Sequence, residues 1–362
     1  EAAQGPAHPD VLATLRSLAE LFQAQRKQGQ AEEFYRRALT VVESVSGGDH
    51  SETAVALDDL ADVYRAETKY GEAEQAYRRA LAIRRNTLRP DHPSLAGSLE
   101  KIVAVIREAR GAEHPDLATS LTDRFDYYFA ARQHGEAEPS LLEALEIREK
   151  ALGPEHPDIV SSLKRLAALR ATQGRFDEAE QSLKRALPMA ARTLGDEHPE
   201  TAGLWNDLGQ VYHAQKKYAE AENAYQQSLK TYEKALGRSH ASVASVLMNL
   251  SVLLQVQHRD AESEPLLRRA LEIRERVFPG EAPEMIATLS SLASVYFRQQ
   301  KYQAAEPCYK RALEGIERNP KAFRQILAGL SGEYATLLLA TGRPDQARRV
   351  AARASEMSAD PR

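Results

Sequence analysis

Leu152-Gly153-Pro154-Glu155-His156-Pro157-Asp158 is the stretch whose reading decides the fold. Its His-Pro core recurs as His8-Pro9, His50, His92-Pro93, His114-Pro115, His156-Pro157, His198-Pro199 and His240, and then as Ala282-Pro283. The successive steps are 42, 42, 22, 42, 42, 42 and 42 residues. A fixed period of this length marks a stack of supersecondary units, each of which needs a neighbour to bury its apolar face. The signpost itself starts a helix. Proline suits the first turn, where its missing N–H costs nothing, and the acids that follow it (Asp10, Asp116, Asp158, Glu200) suit the positive end of a helix.

With the signpost as position 0, two periodic runs follow. Position 10 carries Leu18, Leu60, Ile102, Leu166, Leu208, Leu250 and Leu292. Position 11 is small (Ala19, Ala61, Ala167, Gly209, Ser251, Ala293, Ala335), and position 14 carries Phe22, Tyr64, Tyr128, Tyr212 and Tyr296. Positions 7, 10, 11 and 14 differ by three or four and share one face of a helix, helix A. After a polar break such as Gln28-Gly29-Gln30, position 23 is Ala31, Ala73, Ala137, Ala179, Ala221 and Ala305. Position 27 is Tyr35, Tyr77, Leu141, Leu183, Tyr225, Leu267 and Tyr309, on helix B. Small residues let the two backbones approach, and large ones beside them interlock. Pro139, Pro265 and Pro307 fall near the start of helix B, where proline is tolerated, whereas Pro188 lies well inside it and predicts a kink or an early break.

These positions resemble the tetratricopeptide repeat over nearly the whole chain. The 42-residue spacing, the 152–158 linker and the stretch Tyr70-Gly71-Glu72-Ala73-Glu74-Gln75-Ala76-Tyr77-Arg78-Arg79-Ala80-Leu81 are similar to its kinesin-light-chain type. The resemblance implies an all-α fold, a right-handed α-α superhelix (a tetratricopeptide repeat solenoid), and work as an adaptor or scaffold. In peptide-binding arrays of this type, asparagines beside the Leu of helix A hold the peptide backbone. Here position 9 reads Ser17, Asp59, Lys101, Asp123, Arg165, Asp207, Asn249 and Ser291. Asn249 fits, and Asn206 stands one position earlier in its own repeat, so a regular asparagine ladder is not expected.

One solenoid is expected over residues 1–362, with repeats near 8–49, 50–91, 114–155, 156–197, 198–239, 240–281 and 282–323. A half-repeat occupies 92–113, and a capping repeat, 324–358, ends the array with Arg348, Arg349, Arg353 and Glu356 on its polar outer face. The half-repeat is 20 residues short and keeps one helix, so the stack is expected to turn or pack irregularly near residues 92–135. Arg124 at position 10 and Arg170 at position 14 stand where other repeats are aliphatic or aromatic, and each must reach solvent or find an acid.

Lys and Arg number 48 against 52 Asp and Glu, a net charge of −4 without the basic excess of a nucleic-acid binder. No run of about 18 apolar residues is present to span a membrane. Cys308, the one cysteine, excludes an intramolecular disulfide and reads as a buried, inert thiol. A cytoplasmic location is expected, with a removed export signal as the alternative because the first residue is Glu1. Equivalent histidines are two helices apart, and helices pack about 8–10 Å from one another, too far for one zinc ion to gather them. No metal and no cofactor is therefore expected. With no His-Glu-x-x-His motif, phosphate-cradling loop or nucleophile elbow, neither is an enzyme.

Positions 5, 8, 9, 12 and 15 of helix A are expected to face a concave groove. The groove residues assigned to a peptide or protein partner are Arg16, Asp58, Asp59, Asp62, Arg65, Lys164, Arg165, Asn206, Asp207, Gln210, His213 and Asn249. An extended peptide on such a surface gains hydrogen bonds and charge selection. Two alternatives stand beside this reading. One is a small-molecule or lipid carrier with an apolar pocket near Tyr127, Tyr128 and Phe129 or beside Met248 and Phe297. The other is a self-assembling homo-oligomer.

Overall fold

The computed structural model describes residues 9–278, 282–318 and 323–359; His8 of the first signpost lies outside them. Among the described residues there are seventeen α-helices and no strand. In chain order they are α1 (Pro9–Ala24), α2 (Gln28–Ser46), α3 (Ser51–Ala66), α4 (Tyr70–Thr87), α5 (Pro93–Arg110), α6 (Pro115–Ala130), α7 (His134–Leu152), α8 (Pro157–Thr172) and α9 (Phe176–Thr193). There follow α10 (Pro199–Ala214), α11 (Tyr218–Leu236), α12 (Ala241–Val256), α13 (Asp260–Val277), α14 (Pro283–Arg298), α15 (Tyr302–Glu317), α16 (Arg324–Ala340) and α17 (Pro344–Ala359). The helices form two compact units, Glu1–Gly174 and Arg175–Arg362.

The signpost histidines cap the A-type helices. The backbone N–H groups of Glu52, Ser94, Asp116, Asp158, Glu200 and Ser242 donate to Nδ1 of His50, His92, His114, His156, His198 and His240 at 3.1–3.4 Å. A neutral imidazole here does the work of the usual serine or aspartate cap, satisfying an N–H that the first turn leaves without a partner. Each A-to-B turn is made by one residue in the left-handed region. Arg26, Thr68, Arg132, Lys216, His258 and Gln300 take φ of 59–61° there, and Gly174 and Gly342 take 76° and 75°.

The small residue at position 11 meets the large one at position 27. Tyr77, Tyr225 and Tyr309 are among the largest fully buried side chains. Beside Tyr225 the helix carries Gly209, where an added Cβ would lie 2.6 Å from the ring. The expected break at Pro188 does not occur, because α9 runs unbroken from Phe176 to Thr193. Pro188 is exposed, as is Lys184, whose carbonyl loses its donor, so the defect faces water rather than the core. Pro139, Pro265 and Pro307 also sit on exposed faces, each as the sixth residue of its helix.

The half-repeat is a fusion of the two helix types. α5 begins as an A helix, capped by His92. It ends at Gly111 with φ 90° and ψ 170°, the conformation that Gly47, Gly153 and Gly237 adopt after the B helices α2, α7 and α11. Only glycine occupies that region readily. Side-chain pairs trace two rows through this unit. α1 joins α3 through Arg16–Asp59 at 2.5 Å, α3 joins α5 through Asp62–Lys101 at 2.8 Å, and α5 joins α7 through Arg107–Glu143 at 2.6 Å. The second row joins α4 to α6 through Arg85–Asp123 at 3.6 Å and α6 to α8 through Asp126–Arg165 at 3.1 Å. Losing one helix thus shifts the alternation. α6 and α8 are A-type in sequence, yet they continue the row of the B helix α4. The expected irregularity near residues 92–135 is this exchange of rows.

An outer ladder of ion pairs sets the register between repeats. In the second unit Lys217, Arg259, Lys301 and Arg343, each just before a B helix, reach Glu180, Glu222, Glu264 and Glu306 of the preceding repeat at 2.5–2.8 Å. In the first unit Lys69 reaches Glu32 at 2.6 Å, and at the half-repeat Arg110 takes the cation's place on Glu74 at 2.9 Å. Surface pairs of this kind contribute about 0–1 kcal/mol each.

Two outcomes are expected. Gly209→Ala gains about 1 kcal/mol of helix propensity but overpacks Tyr225, at about 1–3 kcal/mol. Thermal unfolding should show a net loss, relieved by adding Tyr225→Leu, which reproduces the Ala167 with Leu183 arrangement. Glu306 is held down to about 2 by hydrogen bonds from Arg343 and Lys310. A carboxyl whose pKa is lower folded than unfolded stabilises the fold above the unfolded value and loses that contribution as pH falls. Stability should therefore drop as pH goes from about 4.5 to 2, and less steeply in Glu306→Gln, as denaturant titrations at each pH would read.

Candidate functional site

The A-type faces hold most of the sequence-assigned residues, and the structure gives those residues different partners. In the first unit, Arg16 pairs with Asp59, and burial still pushes the Asp59 carboxyl above its ordinary range while Arg16 pulls it down. Asp62 accepts from the Tyr77 hydroxyl and pairs with Lys101, whose ammonium lies 5.3 Å from the Tyr77 ring centre. Arg65 pairs with both carboxylate oxygens of Glu108. Asp58 turns inward and meets the buried Arg84 at 2.7 Å. Lys164 and Arg165 lie on α8, in the other row from α1 and α3, and Arg165 is held by Asp126. The structure therefore does not gather Lys164 and Arg165 with Arg16, Asp59, Asp62 and Arg65 on one row.

In the second unit, Asn206, Asp207, Gln210 and His213 lie on α10 and Asn249 on α12. Asn249 Nδ2 donates to Asn206 Oδ1 at 2.8 Å, joining the two helices through neutral amides, and Asn206 Nδ2 reaches Asp207 Oδ1 at 3.4 Å. Gln210 is exposed. His213 packs edge-on against Tyr218 with ring centres 6.1 Å apart, near the A-to-B turn.

The anomalous arginines find partners. Arg124 donates to Ser140 Oγ at 2.9 Å, and Arg170 meets Glu138 at 3.4 Å. Sequence reasoning missed a buried set at position 34. Arg84, Arg148 and Arg274 donate to Ser98 Oγ, Ser162 Oγ and Thr288 Oγ1 of the following helix. The signal was available as an arginine recurring fourteen residues before a hydroxyl. Of the three, Arg84 has a carboxylate partner, Asp58; burial pulls Arg148 and Arg274 below the usual guanidinium range. Cys308 is partly buried, which pushes its thiol up to about 11 and leaves it protonated and unreactive at neutral pH.

Where the carrier reading placed an apolar pocket, the row exchange leaves two adjoining open hollows of about 260 and 280 Å³. Leu95, Leu99 and Tyr127 line them together with Arg85, Asp123 and Asp126. Among the described residues no group of His, Cys, Asp or Glu converges to hold a metal ion, and no helix is long and apolar enough to cross a membrane.

Helix pairs of this geometry define a class. A family model described as "Tetratricopeptide repeat" matches residues 10–86, 125–192, 163–234, 200–276, 242–318 and 284–360, and the chain belongs to that family. The residues between the first two matches, 87–124, contain α5, the half-repeat helix. More particularly, the repeats are kinesin-light-chain-like. The chain is similar to BtubC (BKLC) from P. vanneervenii, at 25% identity over 63% of this chain and 91% of that one, with a TM-score of 0.56. It is similar also to a putative kinesin light chain with nearly identical TPR-like repeats from Podosopora anserina, at 25% identity over 58% of this chain and 99% of that one, with a TM-score of 0.50. A signal-transduction ATPase with a tetratricopeptide repeat sensor from Pyrococcus horikoshii shares the fold, at 18% identity over 89% of this chain and 50% of that one, with a TM-score of 0.53. No curated protein matches. As a class, tetratricopeptide repeats are protein-interaction scaffolds and typically not enzymes.

Asp58 and Lys164 separate structural from surface roles. Asp58→Ala strands a buried guanidinium and should lower stability by about 3 kcal/mol or more. Lys164→Ala, on a half-exposed side chain, should stay within about 0.5 kcal/mol. Chemical denaturation of the two variants distinguishes them.

Proposed function

We propose that this chain is a non-catalytic adaptor that binds a peptide or protein partner on the A-type face of its second unit, around Asn206, Asp207, Gln210 and Asn249. The observation that carries this reading is the contrast between the two A faces. In the first unit the cross-repeat contacts at positions 8, 9, 12 and 15 are ion pairs, which neutralise one another. Between α10 and α12 Asn249 donates to Asn206, amide to amide, with an exposed glutamine beside it. Amides both donate and accept, so they can meet a polypeptide backbone without the desolvation penalty of a charge. Membership of a scaffold family supports the same reading.

The test is capture from native lysate with three baits: the wild type, Asn206→Ala/Asp207→Ala/Asn249→Ala, and Lys301→Glu on the outer ladder. A protein held by the wild type and the outer-face variant, and lost with the triple variant, is the expected result. Identical sets on all three baits, with the triple variant melting as the wild type does, would sink the proposal.

A further inference from the structure

Position 27 carries a tyrosine in four repeats, and three of the four hydroxyls have an acceptor on an A-type helix. Tyr35 donates to Gln23 at 3.5 Å, Tyr77 to Asp62, and Tyr309 to Glu333 at 2.9 Å. Tyr225 is the fourth. Its side chain is 1% exposed, and its hydroxyl has no hydrogen-bond partner among the described residues, although the oxygen itself is not sealed from solvent. Leu141, Leu183 and Leu267 fill the same position without a hydroxyl, so packing does not require one. The residue facing Tyr225 is unusual too. Position 11 is alanine in the repeats of Tyr35, Tyr77 and Tyr309 (Ala19, Ala61, Ala293), but it is Gly209 here, where a Cβ would lie 2.6 Å from the Tyr225 ring. Glycine is a poorer helix former than alanine. The repeat thus gives up helix propensity to hold a phenol whose hydroxyl no group of the chain receives.

That hydroxyl lies on the polar side of α10. Burial and the charge of Asp207 together hold it above the ordinary phenol range, so it is a protonated donor at neutral pH. The positions where the other tyrosines find acceptors hold no carboxylate here. Gln210 stands at position 12 as Asp62 does, His213 at position 15 as Gln23 does, and Asn249 at position 9 of the next repeat as Glu333 does. Trp205 adds a second donor. Position 7 is leucine elsewhere, as in Leu57, Leu121, Leu163, Leu247 and Leu289, all buried. Trp205 is half-buried, and its indole N–H, which can only donate, has no partner among the described residues. It stands one turn before Gly209, on the same face of α10.

We infer that Tyr225 and Trp205 select the partner by donating hydrogen bonds to neutral amide carbonyls of the bound segment. The inference rests on the adaptor reading and adds the group that the partner must present. Asp207 beside the two donors disfavours a carboxylate, whereas a carbonyl brings an acceptor without a charge. A carbonyl arriving at the Tyr225 hydroxyl takes the place of solvent and loses no hydrogen bond. The buried ring fixes where that hydroxyl points before the partner arrives, so little freedom is lost on binding.

Trp205 is the one tryptophan of the chain, so its fluorescence reports this site in the whole, unlabelled protein. The probes are capped Gly/Ser peptides and the same peptides with a central Gln or a central Glu. The Gln peptide should change the Trp205 emission with saturation and bind more tightly than the Glu peptide. An equal response to the Gly/Ser peptide assigns the carbonyl to the backbone, and a response to the Gln peptide alone assigns it to a side-chain amide. Tyr225→Phe keeps the ring. It should melt as the wild type does and bind roughly tenfold more weakly, the loss of one hydrogen bond. Tyr309→Phe, which removes a hydroxyl bonded within the chain, should bind the peptide as the wild type does. Equal affinity for the Gln and Glu peptides, no saturable response to any peptide, or unchanged affinity in Tyr225→Phe overturns the inference. So does a Tyr225→Phe variant that melts well below the wild type, since its hydroxyl then serves the fold. If a lysate partner is lost with the Asn206/Asp207/Asn249 variant and kept by Tyr225→Phe, the adaptor reading stands and the carbonyl selection falls. If the triple variant keeps every captured protein, the adaptor reading itself falls.

Discussion

A helix hairpin presents two apolar surfaces and can bury only one of them against itself. The other must be covered by the next hairpin, and every feature of this chain follows from that need. The continuous apolar core of the first unit runs from Ala19 to Leu169 without a break between repeats. α5 shows the constraint most plainly. It is a single helix where two are due, and Leu95, Leu99, Ile102, Val103, Val105 and Ile106 are all buried. The A helices α3 and α6 bury as many positions, so what sets α5 apart is its pairing of an A-type start at His92 with a B-type end at Gly111. The helix is covered from both sides, as an A helix toward α4 and as a B helix toward α6.

Polar groups divide into those that hold the stack and those left for something else. The ladder through Lys217, Arg259, Lys301 and Arg343 ties each B row to the one before it. Each link contributes little energy, but four successive links in the second unit fix register. The buried arginines at position 34 are a costlier device, since a guanidinium taken from water must recover its hydrogen bonds. Position 8 shows how one register position serves three ends. Asp58 is structural because Arg84 lies behind it. Asn206 makes a neutral link that leaves amide groups at the surface. Met248 packs against the core of Leu267, Leu292 and Val295. A repeat scaffold varies its function in this way, by exchanging surface residues over a constant core.

The helices, their order and their starting points were legible in the sequence, because these depend on neighbours within one or two turns. Period 3.6 places Leu60, Ala61 and Tyr64 on one face, and proline after the signpost starts a helix wherever it occurs. The histidines were legible as markers but not as caps, since a cap is defined by where Nδ1 points. Pro188 was misread for a similar reason. Sequence locates a proline inside a helix, but only packing says which side of the helix faces water.

By itself, then, the sequence determined an all-α array of tetratricopeptide repeats and proposed which residues line the face of each helix A. Tertiary structure decided which of those face residues are spent on the fold and which remain at the surface. It turned Asp58 inward to Arg84, closed Asp62 on Lys101 and left Gln210, Val252 and Val256 exposed. It also moved α6 and α8 into the row of α4. The physical reason is range. Helix periodicity is written in separations of three and four residues, whereas Asp62 and Lys101 stand 39 residues apart and Asp58 meets Arg84 from a different helix, so these partners meet only once the helices have packed.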